Sequence, residues 1–457
     1  MKLSELAGRR VVVWGAGREG RAAARAVRAA GVADVVAVTD TEPDPETAAT
    51  WASTGLADVA VLAGDTGLAR IGTCEVLVLS PGVSRYRDEV LDAERRGVVV
   101  TNGTELFLAQ RAGSTIAVTG SKGKSTVTRL IAHLLVTVGR EAVAGGNVGV
   151  SLLDLVDDDR QVVAEVSSYQ SALVTTGPSV AVLTSLFPEH LPWHGGLDQY
   201  YADKLRLFAA QGHHRRGLAN GADPGVASML SSPALSGVTT FGDPASDIRI
   251  DDGAVTVRGE RAFSLVRSPL PGAHNAVNVA AAVATLDLLG VDVLAERDRL
   301  DDGLAGFSQL PHRLESIGVV DGVTFVDDSL ATTPQAVIAA CEAFAEVPVV
   351  LLVGGLDRGV DFTPLVDYVE ARAAETAVGI VLMGPAGRRL APALRGVTAA
   401  ECDDVADAVA EAAALAGGQG VVMLAPAAPS PPPYGTYERR AQAFRVGVER
   451  LASAATA

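Results

Sequence analysis

The sequence predicts an α/β protein of three domains in series, and three observations carry that prediction. The chain has 457 residues, and at about 150 residues per domain it has room for three separate cores. Short β-branched runs alternate with longer Ala/Leu/Arg stretches of helical period along most of its length, the pattern of parallel sheets joined by crossover helices. Hydrophobic residues make up 48% and charged residues 20%, with only 4% aromatics, which excludes disordered, collagen-like and coiled-coil classes.

Taken in order, a Rossmann-like first domain over residues 1–112 has strands at Arg10–Trp14, Asp34–Thr39, Val59–Leu62, Val76–Leu79 and Val98–Thr101. The central domain, residues 113–311, opens with the strand Thr115–Thr119 and a helix from Lys124 to Val138, then continues with strands at Val162–Val166 and Val180–Thr184. Period-two alternation between Ser231 and Ser268, broken by Gly-Asp-Pro, Asp-Asp-Gly and Arg-Gly-Glu, predicts a small antiparallel insertion there. The last domain, residues 312–457, is again Rossmann-like: strands at Thr324–Val326, Val347–Val353, Ala377–Leu382 and Gly420–Leu424, helices from Pro334 and Phe362, and a final helix through Arg439–Leu451. All three main sheets are expected to be parallel. Pro429–Pro433 reads as a rigid loop at the carboxyl end of a strand.

Charge and cysteines narrow the partners. Lys and Arg number 38 against 54 Asp and Glu, a net charge of −16, which works against a surface that tracks nucleic acid or an anionic membrane. An anionic ligand would need a local basic pocket. Cys74, Cys341 and Cys402 are far apart with no Cys-x-x-Cys spacing, so neither a disulfide framework nor a zinc site is indicated. The opening residues lack an apolar signal core and the longest apolar runs are strand-sized. A cytoplasmic chain without a membrane span, working as a monomer, is the expectation.

Two glycine loops carry chemistry. Gly15-Ala16-Gly17-Arg18-Glu19-Gly20 follows a strand and opens a helix, with Asp40 at the end of the next strand. It offers a tight turn and a helix N-terminus aimed at negative charge, so a nicotinamide cofactor, another nucleotide diphosphate, or a close-packed turn without a ligand all fit it. Thr119-Gly120-Ser121-Lys122-Gly123-Lys124-Ser125-Thr126 is more specific. Its glycines expose backbone N–H groups to phosphates, Lys124 can reach the terminal phosphates, and Ser125 or Thr126 can hold Mg²⁺. The first glycine of the general phosphate-loop pattern is replaced by Val118, which makes this a shortened loop. Glu165 ends an apolar strand opposite that loop, where a carboxylate suits a Mg²⁺ ligand or an exposed strand end equally.

The order of the motifs supplies more than any one of them. Ser80-Pro81-Gly82, Asn102–Phe107, the Lys124 loop, Gly145–Gly149, Glu165–Gln170, Glu189-His190, Lys204-Leu205-Arg206, His274-Asn275 with Asn278, Pro311–Arg313, Asp327–Ser329, Gly354–Gly359 and Tyr437–Arg439 occur in sequence along nearly the whole chain. This set resembles the Mur ligase family, ATP-dependent amide ligases of peptidoglycan precursor synthesis. The resemblance implies that the first domain holds the UDP part of a substrate, the middle domain ATP and the last an amino acid. It is nearest to the branch that joins glutamate to UDP-N-acetylmuramoyl-L-alanine.

Residue by residue, the resemblance implies UDP-substrate contacts at Gly15, Gly17, Arg18, Glu19, Asp40, Ser80, Gly82, Asn147 and Ser168. ATP contacts would fall at Gly120, Ser121, Lys122, Gly123, Lys124, Ser125, Thr126, Asn275, Arg313 and Asp328. Two Mg²⁺ ions would be held by Ser125, Glu165, His190 and Lys204, the last as a carbamate formed with CO₂; Lys124, Glu165, His190 and Lys204 would be catalytic. Glutamate would meet Thr332, Arg358, Ser430 and Tyr437. Three departures stand out: Lys122 where many relatives carry Asn, Leu330 in place of a lysine familiar from D-glutamate-adding enzymes, and Ala425–Ser430 without the usual cysteine. They resemble the branch that adds L-glutamate, with the D-glutamate enzyme as the alternative. From other classes, a nicotinamide-dependent dehydrogenase leaves the second glycine loop unexplained, and a noncatalytic nucleotide-binding regulator leaves Glu165, His190 and Lys204 without a purpose.

Overall fold

The computed structural model describes residues 1–43, 45–147, 149–210, 216–264, 270, 273–307, 311–345, 347–431 and 434–455. Val148 of the Gly145–Gly149 motif, residues 265–268 of the expected insertion and Pro432-Pro433 of the proline run lie outside them. The chain forms two compact units, one covering Met1–Ser268 and His274–Phe307, the other centred on Ser308–Ala457.

The larger unit contains two parallel sheets. Strands β1 (Val11–Trp14), β2 (Val35–Thr39), β3 (Val61–Ala63), β4 (Val76–Leu79) and β5 (Val99–Asn102) lie in the order β3-β2-β1-β4-β5. β1 pairs with β2 and β4 on its two sides, Val11 opposite both Val35 and Val76. The order reverses beside β1, which puts the glycine turn after β1 and the Ser80 turn after β4 side by side at the carboxyl edge. The helix Arg18–Ala29 presents Ala22, Ala23, Ala26 and Val27 inward, small side chains that let it lie close on the sheet.

The second sheet comprises β6 (Thr115–Thr119), β7 (Ala142–Gly146), β8 (Gln161–Glu165), β9 (Val180–Leu183), β10 (Gly217–Asn220) and β11 (Thr239–Phe241), ordered β11-β10-β9-β6-β8-β7. Its central strands are buried throughout, with apolar residues between the threonines that begin and end β6, as a sheet covered on both faces requires. The expected insertion is a three-stranded antiparallel sheet of β12 (Ile248–Asp251), β13 (Ala254–Val257) and β14 (Glu260–Ser264). Its turns are Asp252-Gly253 and Arg258-Gly259, all at positive φ. The earlier part of the predicted stretch behaves differently, for β11 pairs in parallel with β10.

The second unit has β15 (Glu315–Val320), β16 (Val323–Asp327), β17 (Val349–Gly354), β18 (Val378–Met383), β19 (Thr398–Cys402) and β20 (Val421–Leu424), ordered β15-β16-β20-β17-β18-β19. Here the all-parallel expectation is corrected, because β15 pairs antiparallel with β16. Asp321-Gly322, both at positive φ, close the two-residue hairpin that reverses the chain. β7, β10, β11, β15 and β19 were also not anticipated from the sequence; several are short edge strands whose polar or small residues carry little β signal.

Within the larger unit, the motif Asn102–Phe107 has a structural purpose. Asn102 caps the helix Gly103–Arg111 by accepting from the Glu105 N–H, and its amide donates to the Gln170 carbonyl at 2.7 Å. Glu105 is buried and accepts from the backbone N–H and the hydroxyl of both Thr175 and Thr176, at 2.8 to 3.0 Å. Replacing it would leave four donors unpaired. Glu105→Ala is therefore expected to destabilise this unit by about 3 kcal/mol, with a smaller loss for Glu105→Gln, read as the shift of the urea unfolding midpoint of each variant against wild type.

Candidate active site

Because β6 and its neighbours run parallel, their carboxyl ends open onto one edge, and the loops there carry the candidate phosphate and metal residues singled out above, apart from Lys204, which comes from a helix. After β6 the chain turns through Gly120 (φ +151°) and Gly123 (φ +84°) into the helix Lys124–Thr137. A side chain at Gly120 would place its Cβ 2.0 Å from Thr184 Oγ1, so only glycine allows this approach. Ser121 donates to the Phe187 carbonyl at 2.8 Å and lies 2.9 Å from the Tyr200 hydroxyl, locking the loop onto the segment after β9. The Lys122 N–H donates to Ser185 Oγ, and its ammonium pairs with Glu189 at 2.9 Å. Lys124 folds back to donate to the carbonyls of Gly120 and Ser121, both at 2.9 Å. Ser125 and Thr126 are buried in the first helical turn.

Lys204 reaches the same spot from the helix Leu197–Ala209. It is buried, lies 4.9 Å above the Tyr200 ring, and donates to the Gly120 carbonyl at 2.8 Å. Burial, reinforced by the Lys124 charge, holds its ammonium well below the ordinary lysine pKa of 10.5. An acidic chain thus contains the local basic pocket that an anionic ligand needs. His190 sits in the left-handed region (φ 55°) with its ring 5.0 Å from Tyr169, and burial lowers its affinity for a proton.

Glu165 is buried at the end of β8. One carboxylate oxygen accepts from the Asn147 amide at 2.9 Å; the other, Oε2, has no hydrogen-bond partner among the described residues. A buried carboxylate oxygen left in this state, beside a phosphate loop with a serine in its first turn, fits a Mg²⁺ ligand set.

The turn after β1 is engaged within the protein. Arg18 donates to the carbonyls of Gly146, Asn147 and Gly149, and Glu19 accepts from Ser151 at 2.9 Å. Gly15 (φ +115°) passes so close to Ser80 that a Cβ would lie 2.5 Å from its hydroxyl. Ser80 Oγ is buried without a partner among the described residues, Gly17 caps the helix, and Gly82 has open space around it. Asp40 takes both its oxygens to Arg87 at 2.9 Å, and that guanidinium stacks 4.5 Å over Trp14. Ser168 is buried and 3.0 Å from His194 Nε2. Asn275 is buried and accepts from Asn278 at 2.8 Å.

In the second unit, Asp328 is buried and accepts from the Leu314 N–H at 3.1 Å. Arg313 Nε and Ser430 Oγ are buried atoms without partners among the described residues. Thr332 is half-buried, Arg358 exposed, and Tyr437 stands edge-on to His312 at 5.7 Å.

Comparison with known proteins fits this geometry. Residues 118–286 match the Mur ligase middle domain and residues 312–428 the Mur ligase, glutamate ligase domain. A UDP-N-acetylmuramoyl-L-alanine--L-glutamate ligase of a Micromonospora species is 44% identical, over 99% of this chain and 99% of the relative. The chain belongs to the Mur ligase family. Proteins of the same name from Salinispora tropica (42% identical, 99% of this chain and 100% of that one) and Xanthomonas axonopodis (39%, 97% and 96%) are also similar. Among solved structures, UDP-N-acetylmuramate-alanine ligase from Thermotoga maritima has a TM-score of 0.60 at 19% identity, over 98% of this chain and 100% of that one. The MurF ligase of Thermotoga maritima in complex with ADP has a TM-score of 0.58 at 16% identity, over 98% and 97%. These two show the shared fold. Membership in the Mur ligases removes the dehydrogenase reading of Gly15–Gly20. Among the described residues, no helix is long and apolar enough to cross a membrane.

Four residues of this Mur ligase escaped sequence reasoning. The half-buried Tyr86 and the buried His194 and Asp203 form a hydrogen-bonded chain ending on Ser168. Arg440 is fully buried in the second unit, where it donates to the carbonyls of Ala428 and Ser329, and burial lowers its pKa to about 10. The one available signal for the first group was position: His194 is four residues after His190, and Asp203 directly precedes Lys204.

Proposed function

We propose that this Mur ligase joins L-glutamate to UDP-N-acetylmuramoyl-L-alanine with conversion of ATP to ADP and phosphate, in the cytoplasm and as a monomer. The observation that carries the reading is the convergence of Lys124 and Lys204 on the Gly120 carbonyl beside the unpartnered Oε2 of Glu165, in a chain whose full-length relatives bear that activity as their name. Residues 1–112 take the UDP part, 113–311 ATP and 312–457 glutamate.

A carboxylate is a poor electrophile, so the substrate carboxylate first attacks the γ-phosphorus, forming an acyl phosphate and releasing ADP. The glutamate amine then attacks the acyl carbon; the tetrahedral intermediate loses phosphate and the amine loses a proton to give the amide. The protein's task is to position anions and neutralise charge. Lys124 takes the β- and γ-phosphates, while the backbone of Gly120, Ser121, Lys122 and Gly123 and the first turn at Ser125 and Thr126 cradle them. Asn275, Arg313 and Asp328 take the adenosine. Gly15, Gly17, Ser80, Gly82, Asn147 and Ser168 meet the UDP substrate; Arg18, Glu19 and Asp40 act on it by shaping the turn, since their side chains are engaged by protein groups. Arg358 binds a glutamate carboxylate as a bidentate fork, with Thr332, Ser430 and Tyr437 around it.

Ser125 and Glu165 would hold one Mg²⁺, and His190 with carbamylated Lys204 a second; bound there, the ions neutralise charge on the transferring phosphoryl group. The depressed proton affinity of Lys204 favours its neutral amine, the form that attacks CO₂: the C–N bond forms, one nitrogen proton leaves, and a carbamate anion results. Lys204→Ala should be inactive, and acetate should restore part of the turnover by supplying a carboxylate; an active alanine variant would overturn the carbamate.

Two further measurements test the reading itself. Lys124→Ala should fold normally yet lose ATP-dependent phosphate release, and near-normal release would remove this loop from the reaction. Leu330 adds an apolar wall where a cation is lost, and Pro429 and Pro431 stiffen the loop of Ser430. Side-by-side kcat/KM values for the two glutamate enantiomers should therefore favour L, and a D preference would show that these loops do not select the enantiomer.

A further inference from the structure

The larger unit contains a serine, a histidine and an aspartate in one hydrogen-bonded line. Asp203 is fully buried. Its carboxylate accepts the Tyr86 hydroxyl at 2.8 Å, lies 2.7 Å from His194 Nδ1, and accepts the Gln199 amide at 3.1 Å. His194 is also buried and reaches Ser168 Oγ with Nε2 at 3.0 Å. The rings of Tyr169 and Trp193 flank the imidazole at 5.6 and 4.6 Å, so it cannot turn without displacing both.

A buried carboxylate costs several kcal/mol in lost hydration, and a leucine would fill such a site without that cost. What distinguishes the line is where its members attach. Ser168 stands three residues after Glu165, His194 four after His190, and Asp203 one before Lys204. The segments that carry Glu165, His190 and Lys204, three of the four residues of the candidate metal site, are thus tied to one another. The fourth member, Tyr86, comes from the segment after β4, the one that begins with Ser80 and Gly82. Ser84 makes a second tether there by donating to the Trp193 carbonyl at 2.7 Å.

We propose that His194 and Asp203 are positioning residues for the ligation reaction: the pair acts through Ser168 to fix the UDP-linked substrate, and Tyr86 registers it against the Ser80–Arg87 segment. The inference rests on the proposed reaction and on Ser168 as a contact of that substrate. Asp203 holds the imidazole through Nδ1, so the orientation of the Ser168 hydroxyl is set before substrate arrives, and binding does not have to order it.

Steady-state kinetics on the full chain test this with UDP-N-acetylmuramoyl-L-alanine, L-glutamate and ATP. Wild-type turnover is measured first. No turnover sinks the proposed reaction, whereas turnover with unmoved constants in the variants sinks this inference alone. Ser168→Ala and His194→Asn, whose amide stands near Nδ1 and keeps the Asp203 contact only, should each raise KM for the UDP substrate by about tenfold, the ordinary worth of one hydrogen bond. KM for ATP and for glutamate should stay within about twofold. His194→Gln, whose amide stands near Nε2, should recover most of the loss. The double variant Ser168→Ala/His194→Asn should be no worse than either single one, because both remove the same link. Multiplying effects in the double variant, or equal rises in all three KM values, would mean that the pair is structural and would overturn the proposal. If His194→Asn does not fold, Tyr86→Phe reads the same line by removing one hydroxyl, and an unchanged KM for the UDP substrate in it overturns the proposal as well.

Discussion

Two lysine side chains share one backbone carbonyl in the larger unit. Lys124 and Lys204 approach Gly120 from different helices, at 2.9 and 2.8 Å, so their nitrogens lie less than about 6 Å apart. At an effective dielectric near 20, two unit charges at that separation repel by about 3 kcal/mol. Such a pair is tolerable when one lysine gives up its proton or when an anion arrives, and burial of Lys204 already favours the first. The phosphate loop, the buried lysine and the Glu165 oxygen that lacks a hydrogen-bond partner among the described residues thus meet in one crowded cluster of charged groups.

Parallel β-sheet topology makes that constraint possible. Strands covered on both faces are apolar through their middle, and their polar groups fall at the strand ends and in the loops beyond. Glu165 is the last residue of β8, the glycine loop follows β6, and Thr184 follows β9, so three adjacent strands deliver their chemistry to one edge. Elsewhere in the unit buried carboxylates are satisfied by their neighbours, as with Glu105 on the two threonines and Asp203 on Tyr86 and His194.

The second unit solves a related problem with a cation. Among the described residues no carboxylate hydrogen-bonds Arg440; its guanidinium donates to the carbonyls of Ser329 and Ala428. Those carbonyls belong to the loops after β16 and β20, which carry Leu330, Thr332 and Ser430. A buried arginine therefore joins the two loops on which the choice of glutamate enantiomer is proposed to depend.

How much of this was legible follows from the range of each interaction. Periodicity and turn residues depend on neighbours a few positions apart, so β4 and β6 were read to the residue and the Lys124 helix to within one. Asp321-Gly322 is an equally local signal, and it closes an antiparallel hairpin where the surrounding alternation predicts parallel strands. The glycine loops, the ordered motifs and the family were decided by sequence alone, because backbone conformation and motif order are written in consecutive residues. The shared Gly120 carbonyl, the pairing of Asp40 with Arg87, and the line from Tyr86 to Ser168 were decided only by tertiary structure. Tyr86 and Asp203 are 117 positions apart, and Lys204 and Gly120 are 84 apart. No local preference of a tyrosine, an aspartate or a lysine encodes which distant partner folding will bring to it.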